Sequence, residues 1–247
     1  GVMATFNGTN GDDTADATNG TLIGFTGGTV ADLQDAVGDT FNALAGNDTI
    51  TAGGGDDDIT GGGGADTINA GGGNDTIRNF FGSLPSLGQF ESLDGGADLD
   101  TLVLGGASLN DLNTALDAHL TNVEIIDAKN VSGTLDLHLQ SEGFTINSNG
   151  PTNLAIDLTG SAGADTITTG ANGDIIRNFV GADSVDAGEN FNNTDTDRLL
   201  LDTTSTDLNS AADDKLLNVE RVELTAGGVT VNLERQIYQM AGDVRSD

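Results

Sequence analysis

A large apolar residue recurs at every ninth position in the first third of the chain, and polar residues flank it on both sides. The members of this series are Phe41, Ile50, Ile59, Ile68 and Ile77. A single inward-pointing side chain between two outward-pointing ones is the pattern of a very short β-strand. The segments between these residues are rich in Gly, which favours tight turns with positive φ. The pattern therefore predicts a regular succession of short strands and turns, and it argues against a disordered acidic chain.

An Asp precedes each of these apolar residues by two positions. The five residues are Asp39, Asp48, Asp57, Asp66 and Asp75. With the Gly-rich turns they form the nonapeptide G-G-x-G-x-D-x-U-x, in which U is the large apolar residue. The sequence therefore resembles the RTX (repeats-in-toxin) calcium-binding family. The resemblance implies an all-β fold, a calcium-binding parallel β-roll/β-helix solenoid with short capping helices, in which two nonapeptides make one coil and alternate repeats stack.

Stacked Asp side chains would repel one another strongly. Neighbouring strands lie about 4.8 Å apart, and two carboxylates about 5 Å apart repel by roughly 3 kcal/mol at an effective dielectric constant near 20. The chain contains only 8 Lys and Arg residues, so a hard divalent cation with oxygen ligands is the more effective counter-ion. The alternative interpretation is an ordinary Gly/Asp turn in a β-solenoid that binds no metal.

In the RTX family the repeat carboxylates and the turn carbonyl groups bind calcium. By position, the resemblance implies that the carboxylates of Asp48, Asp57, Asp66 and Asp75 are ligands, with Asp39 at the edge of the array. It also implies turn carbonyl ligands from Gly53, Gly55, Gly62, Gly64, Gly71 and Gly73. The stretch 8–13 is an isolated, degenerate copy of the repeat.

The same pattern returns in the second half of the chain. There Asp165, Asp174 and Asp183 keep the nine-residue step, Gly163 corresponds to a turn Gly, and Asn172 replaces one. The resemblance implies that these three carboxylates and the Gly163 turn also bind calcium. The landmarks after the two arrays match as well, including Asn-Val-Glu at 122–124 and 218–220. We therefore predict an N-terminal cap over 1–37, a first RTX module over 38–150 and a second over 151–247.

A further degenerate repeat contains the pair Asp98 and Asp100, and Asp195 and Asp197 form the corresponding pair in the second module. An Asp-x-Asp pair at the mouth of a coil is suited to another calcium ion. A solvated cluster of surface acids is the equal alternative.

Two stretches show helical spacing of apolar residues, namely Leu109, Leu112, Leu116 and Leu120, and then Leu208, Ala212 and Leu216. The spacing predicts one short helix in each module that covers an open edge of the core, and a partner-binding helix is the less favoured alternative. Alternating residues at 123–127, 135–139, 144–146, 154–158 and 229–233 predict further strands of a wider parallel β-helix.

Composition excludes several classes of function. The formal net charge is −31 at pH 7, and 32 of the 39 acidic residues are Asp. A chain this acidic repels phosphate groups, which argues against nucleic acid as a partner. The absence of Cys excludes disulfides, thiolate metal sites and Cys nucleophiles. No stretch approaches the roughly 18 apolar residues of a membrane span.

Catalytic motifs are also missing from the sequence. There is no H-E-x-x-H zinc helix and no G-x-S-x-G elbow, and His119 and His138 have no partner motif. We therefore predict that the protein is not an enzyme.

The alternation of Gly/Asp turns, an apolar strand, a helix and an Asn-Val-Glu strand resembles the surface-layer proteins and large secreted RTX adhesins of Gram-negative bacteria. The resemblance implies type I export, folding on calcium outside the cell, and a structural or adhesive role at the bacterial surface. Expected partners are calcium and either further copies of the chain or a cell-surface polysaccharide. The alternative is a non-catalytic module or accessory of a secreted enzyme. Residues 238–247 are not a convincing type I signal, so we expect a longer natural chain or an atypical signal.

Overall fold

Very short parallel strands, separated by turns, make up most of the regular structure, as the isolated apolar residues predict. The computed structural model describes residues 1–78, 92–105, 109–152, 154–188 and 195–233. The chain divides into two units, Gly1–Asp127 and Ala128–Asp247. The segment 238–247 lies outside the described residues, and the module boundaries expected from the sequence stay a prediction.

The described residues of unit 1 form strands of two or three residues and two short α-helices. The strands are β1 (Thr5–Asn7), β2 (Thr14–Asp16), β3 (Thr21–Ile23), β4 (Thr40–Asn42), β5 (Thr49–Thr51), β6 (Asp58–Thr60), β7 (Thr67–Asn69), β8 (Thr76–Arg78), β9 (Ser92–Asp94), β10 (Thr101–Val103), β11 (Leu120–Thr121) and β12 (Ile125–Asp127). The helices are α1 (Val30–Leu33) and α2 (Leu109–Thr114), and a 3₁₀ helix spans Asp117–His119.

Unit 2 repeats this organisation with slightly longer strands. Its strands are β13 (Gly133–Asp136), β14 (Thr145–Asn147), β15 (Ile156–Thr159), β16 (Thr166–Thr168), β17 (Ile175–Arg177), β18 (Ser184–Asp186), β19 (Arg198–Leu201), β20 (Leu216–Leu217) and β21 (Arg221–Leu224). Helix α3 spans Thr206–Ser210, and a 3₁₀ helix spans Asp213–Lys215.

Alternate repeats stack in unit 1, which confirms the two-repeat coil. One sheet has the order β1-β4-β6-β8-β10-β12, and the other has the order β11-β9-β7-β5-β2-β3. All neighbouring strands are parallel except β2 and β3, which form an antiparallel pair at the end of the second sheet. Phe41 is in register with Ile59, and Ile59 with Ile77, so the apolar residues of alternate repeats form one inward-facing file.

Unit 2 has the same construction. Strands β14, β16, β18 and β20 follow one another in one sheet, and β13, β15, β17, β19 and β21 form another. Ile146 is in register with Ile167, and Leu158 with Ile176. The fold is therefore an all-β parallel solenoid, as predicted.

The core of each coil consists of the single inward side chain of each strand. Ile59 and Ile77 are fully buried, and Ile50 and Ile68 are nearly so. Burying such a side chain contributes about 1.5–3 kcal/mol. In unit 1 the file continues to Phe6, whose ring stacks on that of Phe41 with 4.9 Å between the centroids.

Glycine is required where the turns of successive coils meet. Gly64 has φ 131°, and a Cβ atom built on it would lie 1.8 Å from the carbonyl oxygen of Gly46 in the neighbouring coil. No L-residue fits such a contact without displacing backbone, so the strand spacing of about 4.8 Å dictates glycine here.

The predicted helices are shorter than their leucine spacing indicates. Leu109 and Leu112 are buried beneath α2, but Leu116 is exposed in an extended conformation and Leu120 begins β11. Leu120 pairs with Leu93 of β9, and this strand pairing replaces a further helical turn.

The second helix departs from the prediction in the same way. Leu208 of α3 is buried, Ala212 is extended, and Leu216 pairs with Val185 in β20. No helix in the described part of the chain is long and apolar enough to cross a membrane.

The strand predicted at 229–233 does not form. The amides of Thr230 and Asn232 donate instead to side-chain oxygens, namely Thr204 Oγ1 at 3.0 Å and Asn209 Oδ1 at 2.6 Å. These side-chain acceptors take the place of a strand ladder in this segment. The other four stretches predicted from alternation each contain or overlap a strand.

Candidate metal sites

The repeat Asp residues of unit 1 form two buried files, one at each set of turns. One file contains Asp39, Asp57, Asp75 and Asp100, and the other contains Asp13, Asp48 and Asp66. All seven side chains are almost completely buried. Asp57 therefore lies between Asp39 and Asp75, as the predicted stacking of alternate repeats requires.

Each carboxylate in a file holds the coil before it. The amide of Asp39 donates to Oδ1 of Asp57 at 2.6 Å, and the amide of Asp57 donates to Oδ1 of Asp75 at 2.7 Å. On the other edge, the amide of Asp48 donates to Oδ1 of Asp66 at 2.9 Å. Charge-assisted hydrogen bonds of this kind to backbone amides are among the stronger ones in proteins.

The residues just before the repeat Asp form a second series of hydrogen bonds between coils. In this series each side chain accepts an amide of the following coil, whereas each repeat Asp accepts an amide of the preceding coil. Oδ1 of Asn47 accepts the amide of Ala65 at 2.9 Å, and Oδ1 of Asp56 accepts the amide of Asn74 at 2.8 Å. This series explains why Asn or Asp often precedes the repeat Asp, a role that the nonapeptide pattern alone does not reveal.

The second carboxylate oxygen of most repeat Asp residues is buried without a hydrogen-bond partner. These atoms are Oδ2 of Asp48, Asp57, Asp66, Asp75, Asp100, Asp174 and Asp197. A buried, unpaired carboxylate oxygen is costly, and native proteins normally satisfy such atoms. The residues therefore fit a hard cation, which accepts carboxylate and backbone carbonyl oxygens as ligands.

Burial raises the pKa of these carboxyl groups. The pKa of Asp57 rises to about 8 because the side chain is desolvated; the hydrogen bond from the Asp39 amide lowers it, and the charge of Asp75 raises it further. Desolvation likewise raises the pKa of Asp48 to about 7 and that of Asp66 to about 6. Without a cation, burial therefore shifts these groups toward the protonated form relative to an ordinary Asp side chain.

Four arginine side chains of the described ranges, Arg78, Arg177, Arg198 and Arg221, pair with acids outside the Asp files. Arg78 Nε lies 3.0 Å from Asp58 Oδ1, and Arg198 contacts Glu223 at 3.2 Å. Arg177 binds Asp157 through two nitrogen atoms, at 2.6 and 2.7 Å. None of these pairs involves a repeat Asp, so neutralisation of the files calls for an external cation.

The six turn glycines expected to supply carbonyl ligands all lie in the left-handed region. They are Gly53, Gly55, Gly62, Gly64, Gly71 and Gly73. They stack between coils: a Cβ atom on Gly71 would lie 2.0 Å from the oxygen of Gly53, and one on Gly73 would lie 2.4 Å from that of Gly55. The structure therefore brings these turns together at the edges where the Asp files run.

The second array forms two further files in unit 2. The amide of Asp165 donates to Oδ1 of Asp183 at 2.9 Å, and the amide of Asp174 donates to Oδ1 of Asp197 at 2.6 Å. The pKa of Asp197 rises to about 8, first because of burial and then because of the Glu220 charge. Gly163 lies in the turn of Asp165 and stacks closely on Gly143.

The two Asp-x-Asp pairs differ from each other in the structure. Asp100 is a buried member of its file, whereas Asp98 is exposed and takes the left-handed position of a turn Gly with φ 82°. In the second pair, Asp197 is buried and Asp195 has a buried Oδ2 without a hydrogen-bond partner.

Glu124 and Glu220 belong to the files, although the nine-residue pattern does not point to them. The amide of Asp100 donates to Oε2 of Glu124 at 2.9 Å, and that of Asp197 to Oε2 of Glu220 at 2.7 Å. The signal that reveals them is the repeated Asn-Val-Glu segment. In both copies its Asn is left-handed, and the Asn122 side chain donates to Oδ1 of Asp94 at 2.7 Å.

No group of three or more acidic or histidine side chains converges as a metal cluster among the described residues. His138 lies on the surface, where Nδ1 contacts Asp136 Oδ1 at 2.7 Å.

Comparison with known protein families identifies the repeats in two segments of the chain. The model of the RTX calcium-binding nonapeptide repeat, in four copies, matches residues 36–68 and 157–185. The chain carries RTX calcium-binding repeats. The RTX turns at Asp39, Asp48, Asp57 and Asp66 lie in the first match, and those at Asp165, Asp174 and Asp183 lie in the second. Searches of curated proteins and of solved structures found no significant match.

Proposed function

We propose that the protein is an extracellular, calcium-binding structural protein that folds on calcium after export and takes part in a surface layer or another assembly at the bacterial cell surface. The observation that carries the calcium part is the row of buried, unpartnered Oδ2 atoms in the Asp files. RTX repeats bind calcium and are typical of secreted proteins.

The proposed ligands are the Asp carboxylates with unpartnered Oδ2 atoms, Asp39 at the edge of its file, and the carbonyl groups of the six left-handed turn glycines. Bound calcium would neutralise neighbouring carboxylates and join the turns of adjacent coils. The chain's own residues prepare this site: Oδ1 of each Asp is already held by a backbone amide, which leaves Oδ2 for the ion.

Coupling between calcium and folding follows from charge. At −31, with 8 basic residues, the chain repels itself while the carboxylates are ionised and no cation is present. Where calcium is scarce, as in the cytosol, the Asp files disfavour winding and the chain stays extended and suited to export. At about millimolar calcium, sites of roughly 10⁻⁴–10⁻³ M affinity fill and stabilise the coils.

A structural role, without catalysis, is the second part of the proposal. The RTX β-roll is typically a structural, non-catalytic module. We propose that assembly occurs through contacts between copies or through a surface polysaccharide. The alternative role is that of an accessory module of a secreted enzyme, and one result of the test below would favour it.

The test is far-UV circular dichroism with parallel size analysis, from a chelator to 10 mM calcium, with magnesium as the control. A calcium-specific transition from coil to β-structure, followed by growth in particle size, supports a calcium-dependent assembly. The same transition in a persistent monomer favours the accessory module. An unchanged spectrum overturns the calcium proposal.

A further inference from the structure

We infer that the RTX turns of this chain are of two kinds, and that those of Asp13, Asp165 and Asp183 close by their own hydrogen bonds without calcium. This inference rests on the proposed calcium function of the remaining turns. The sequence pattern places Asp165 and Asp183 among the ligands, but the hydrogen bonding separates them from residues such as Asp66. The decisive feature is the state of the second carboxylate oxygen.

Both carboxylate oxygens of Asp165 are occupied by protein donors. Oδ1 accepts the Phe144 amide at 2.8 Å and the Ser161 hydroxyl at 2.9 Å, and Oδ2 accepts the Ser161 amide at 2.7 Å. The Ser161 hydroxyl in turn accepts the amide of Gly163 at 3.1 Å. The turn is thus closed by a residue four positions before the Asp.

The first turn of unit 1 has the same network. The amide of Thr9 donates to Oδ2 of Asp13, the Thr9 hydroxyl donates to Oδ1 at 2.9 Å, and that hydroxyl accepts the amide of Gly11 at 3.1 Å. Two segments from different units therefore share the pattern G-[S/T]-x-G-x-D, at 8–13 and 160–165. This agreement, contact by contact, is unlike a chance arrangement of turn residues.

Glycine at the start of the pattern makes room for the carboxylate. A Cβ atom on Gly8 would lie 2.7 Å from Oδ2 of Asp13, and one on Gly160 would lie 2.4 Å from Oδ2 of Asp165. In both turns the Asp therefore folds back over its own turn.

The turns with an unpartnered Oδ2 in unit 1 have a different residue four positions before the Asp. These residues are Leu44, Gly53, Gly62, Gly71 and Gly96, all with positive φ. Thr9 and Ser161 are outside the left-handed region. These Leu and Gly residues have no side-chain hydroxyl, and their amides do not donate to the Asp, so the second oxygen of Asp48, Asp57, Asp66, Asp75 or Asp100 stays available for a cation.

Asp183 reaches the closed state by another route. Its Oδ1 accepts the Asp165 amide at 2.9 Å, and its Oδ2 accepts the amide of Val180, in its own turn, at 2.9 Å. Consequently, one file of unit 2, Asp165 with Asp183, is satisfied without metal, whereas the other file, Asp174 with Asp197, keeps unpartnered oxygens.

Two of the three closed turns, those of Asp13 and Asp165, stand at the beginning of an array, whereas that of Asp183 does not. Asp13 is the first member of its file in unit 1, and Asp165 is the first repeat Asp of unit 2. Because each coil of a solenoid is stabilised mainly by its neighbours, a turn that forms without metal gives calcium-dependent coils a template. We therefore assign Thr9–Asp13 and Ser161–Asp165 as starter turns for calcium-driven winding.

The test compares Asp165→Asn with Asp66→Asn in the full chain, since both residues are buried and both occupy the repeat Asp position. Bound calcium is counted by equilibrium dialysis, urea unfolding is followed in calcium, and residual structure in chelator is followed by circular dichroism. Asp66→Asn is expected to lose at least one bound ion per chain. Asp165→Asn is expected to keep the wild-type ion count and to lose stability in calcium together with the residual structure that the wild type keeps in chelator.

Ser161→Ala supplies a second measurement that does not require changing an Asp. Hydrogen exchange in chelator should show residual protection of the Phe144 amide in the wild type and its loss in the variant. A lower ion count in Asp165→Asn, together with no protection of the wild-type amide in chelator, overturns the starter-turn inference and leaves the calcium proposal intact. A wild-type chain that binds no calcium overturns the calcium proposal itself, and this outcome is read from the same dialysis.

Discussion

Asp75 holds the backbone amide of Asp57 through Oδ1, at 2.7 Å across one coil, while its Oδ2 atom is buried without a hydrogen-bond partner. The same side chain therefore joins two coils through one oxygen and, through the other, buries a negative charge that no protein group neutralises. Because the two oxygens have different roles, replacing the carboxylate with an amide should leave the metal-free state equally or more stable and should reduce the stabilisation by calcium.

The variant Asp57→Asn tests these separate roles of the two carboxylate oxygens. The Asn side chain can still accept the Asp39 amide, but it removes a buried charge, so the metal-free roll should be as stable as the wild type or more stable. The calcium-linked stabilisation should fall by about 1–3 kcal/mol, the range for losing a charged partner. Circular dichroism in chelator measures the first effect, and calorimetric melting in 10 mM calcium measures the second. Asp58→Asn is the control, because Asp58 is exposed and pairs with Arg78 on the surface; equal losses in both variants would contradict the assignment of Asp57.

Stability in chelator should depend on pH through the same files. The folded-state pKa is raised from 3.8 to about 6 for Asp66, about 7 for Asp75 and about 8 for Asp57. Groups with a raised folded pKa stabilise the folded state fully below the unfolded value and lose that contribution as the pH rises through the folded value. The metal-free roll should therefore be more structured at pH 5 than at pH 8 by circular dichroism.

Calcium should reverse this dependence. Protons and calcium compete for the same carboxylates, so the calcium midpoint should fall as the pH rises from about 6 to about 8. A calcium midpoint that stays constant over this interval would show that buried carboxylates are not the ligands.

Much of the fold follows from the position of single residues along the chain. The nine-residue step predicts Ile59 and Ile77 as inward residues, and the strand register agrees. The helical leucine pattern extends too far because Leu120 and Leu216 also suit a buried strand, and pairing with Leu93 and Val185 decides between the two. Short apolar series of this kind do not distinguish a helix from a strand.

The candidate sites were only partly predictable from the sequence. The Asp positions follow from the repeat, but whether the Oδ2 atom finds a protein donor depends on the local turn, as the contrast between the Ser161 turn of Asp165 and the left-handed Gly62 turn of Asp66 illustrates. Glu124 escaped the nine-residue step because 24 positions separate it from Asp100, and the intervening segment contains α2. Only the stacked structure makes the two residues neighbours.

Two turn glycines should respond very differently to alanine. A Cβ atom on Gly64 would meet the Gly46 oxygen at 1.8 Å, in a backbone conformation with φ 131°, whereas one on Gly72 would meet nothing within 4 Å. Gly64→Ala should cost about 3 kcal/mol or more, from left-handed strain plus a backbone clash. Gly72→Ala should change the free energy of unfolding by less than about 1 kcal/mol. Urea unfolding in calcium measures both, and a similar loss for the two variants would contradict the coil spacing described above.

Leu44 occupies the left-handed turn position that Gly53 and Gly62 occupy in later coils. Its φ is 76° and its side chain is 53% exposed, so the residue bears strain without gaining burial. Leu44→Gly should therefore stabilise the protein by about 0.5–1 kcal/mol, the left-handed penalty less the greater flexibility of glycine in the unfolded chain. Leu99→Gly is the matched control, because Leu99 is 57% exposed and outside the left-handed region; that variant should lose stability. Thermal unfolding in calcium distinguishes them: opposite shifts are expected, and a fall in melting temperature for Leu44→Gly would mean that the exposed leucine stabilises the turn through its side chain.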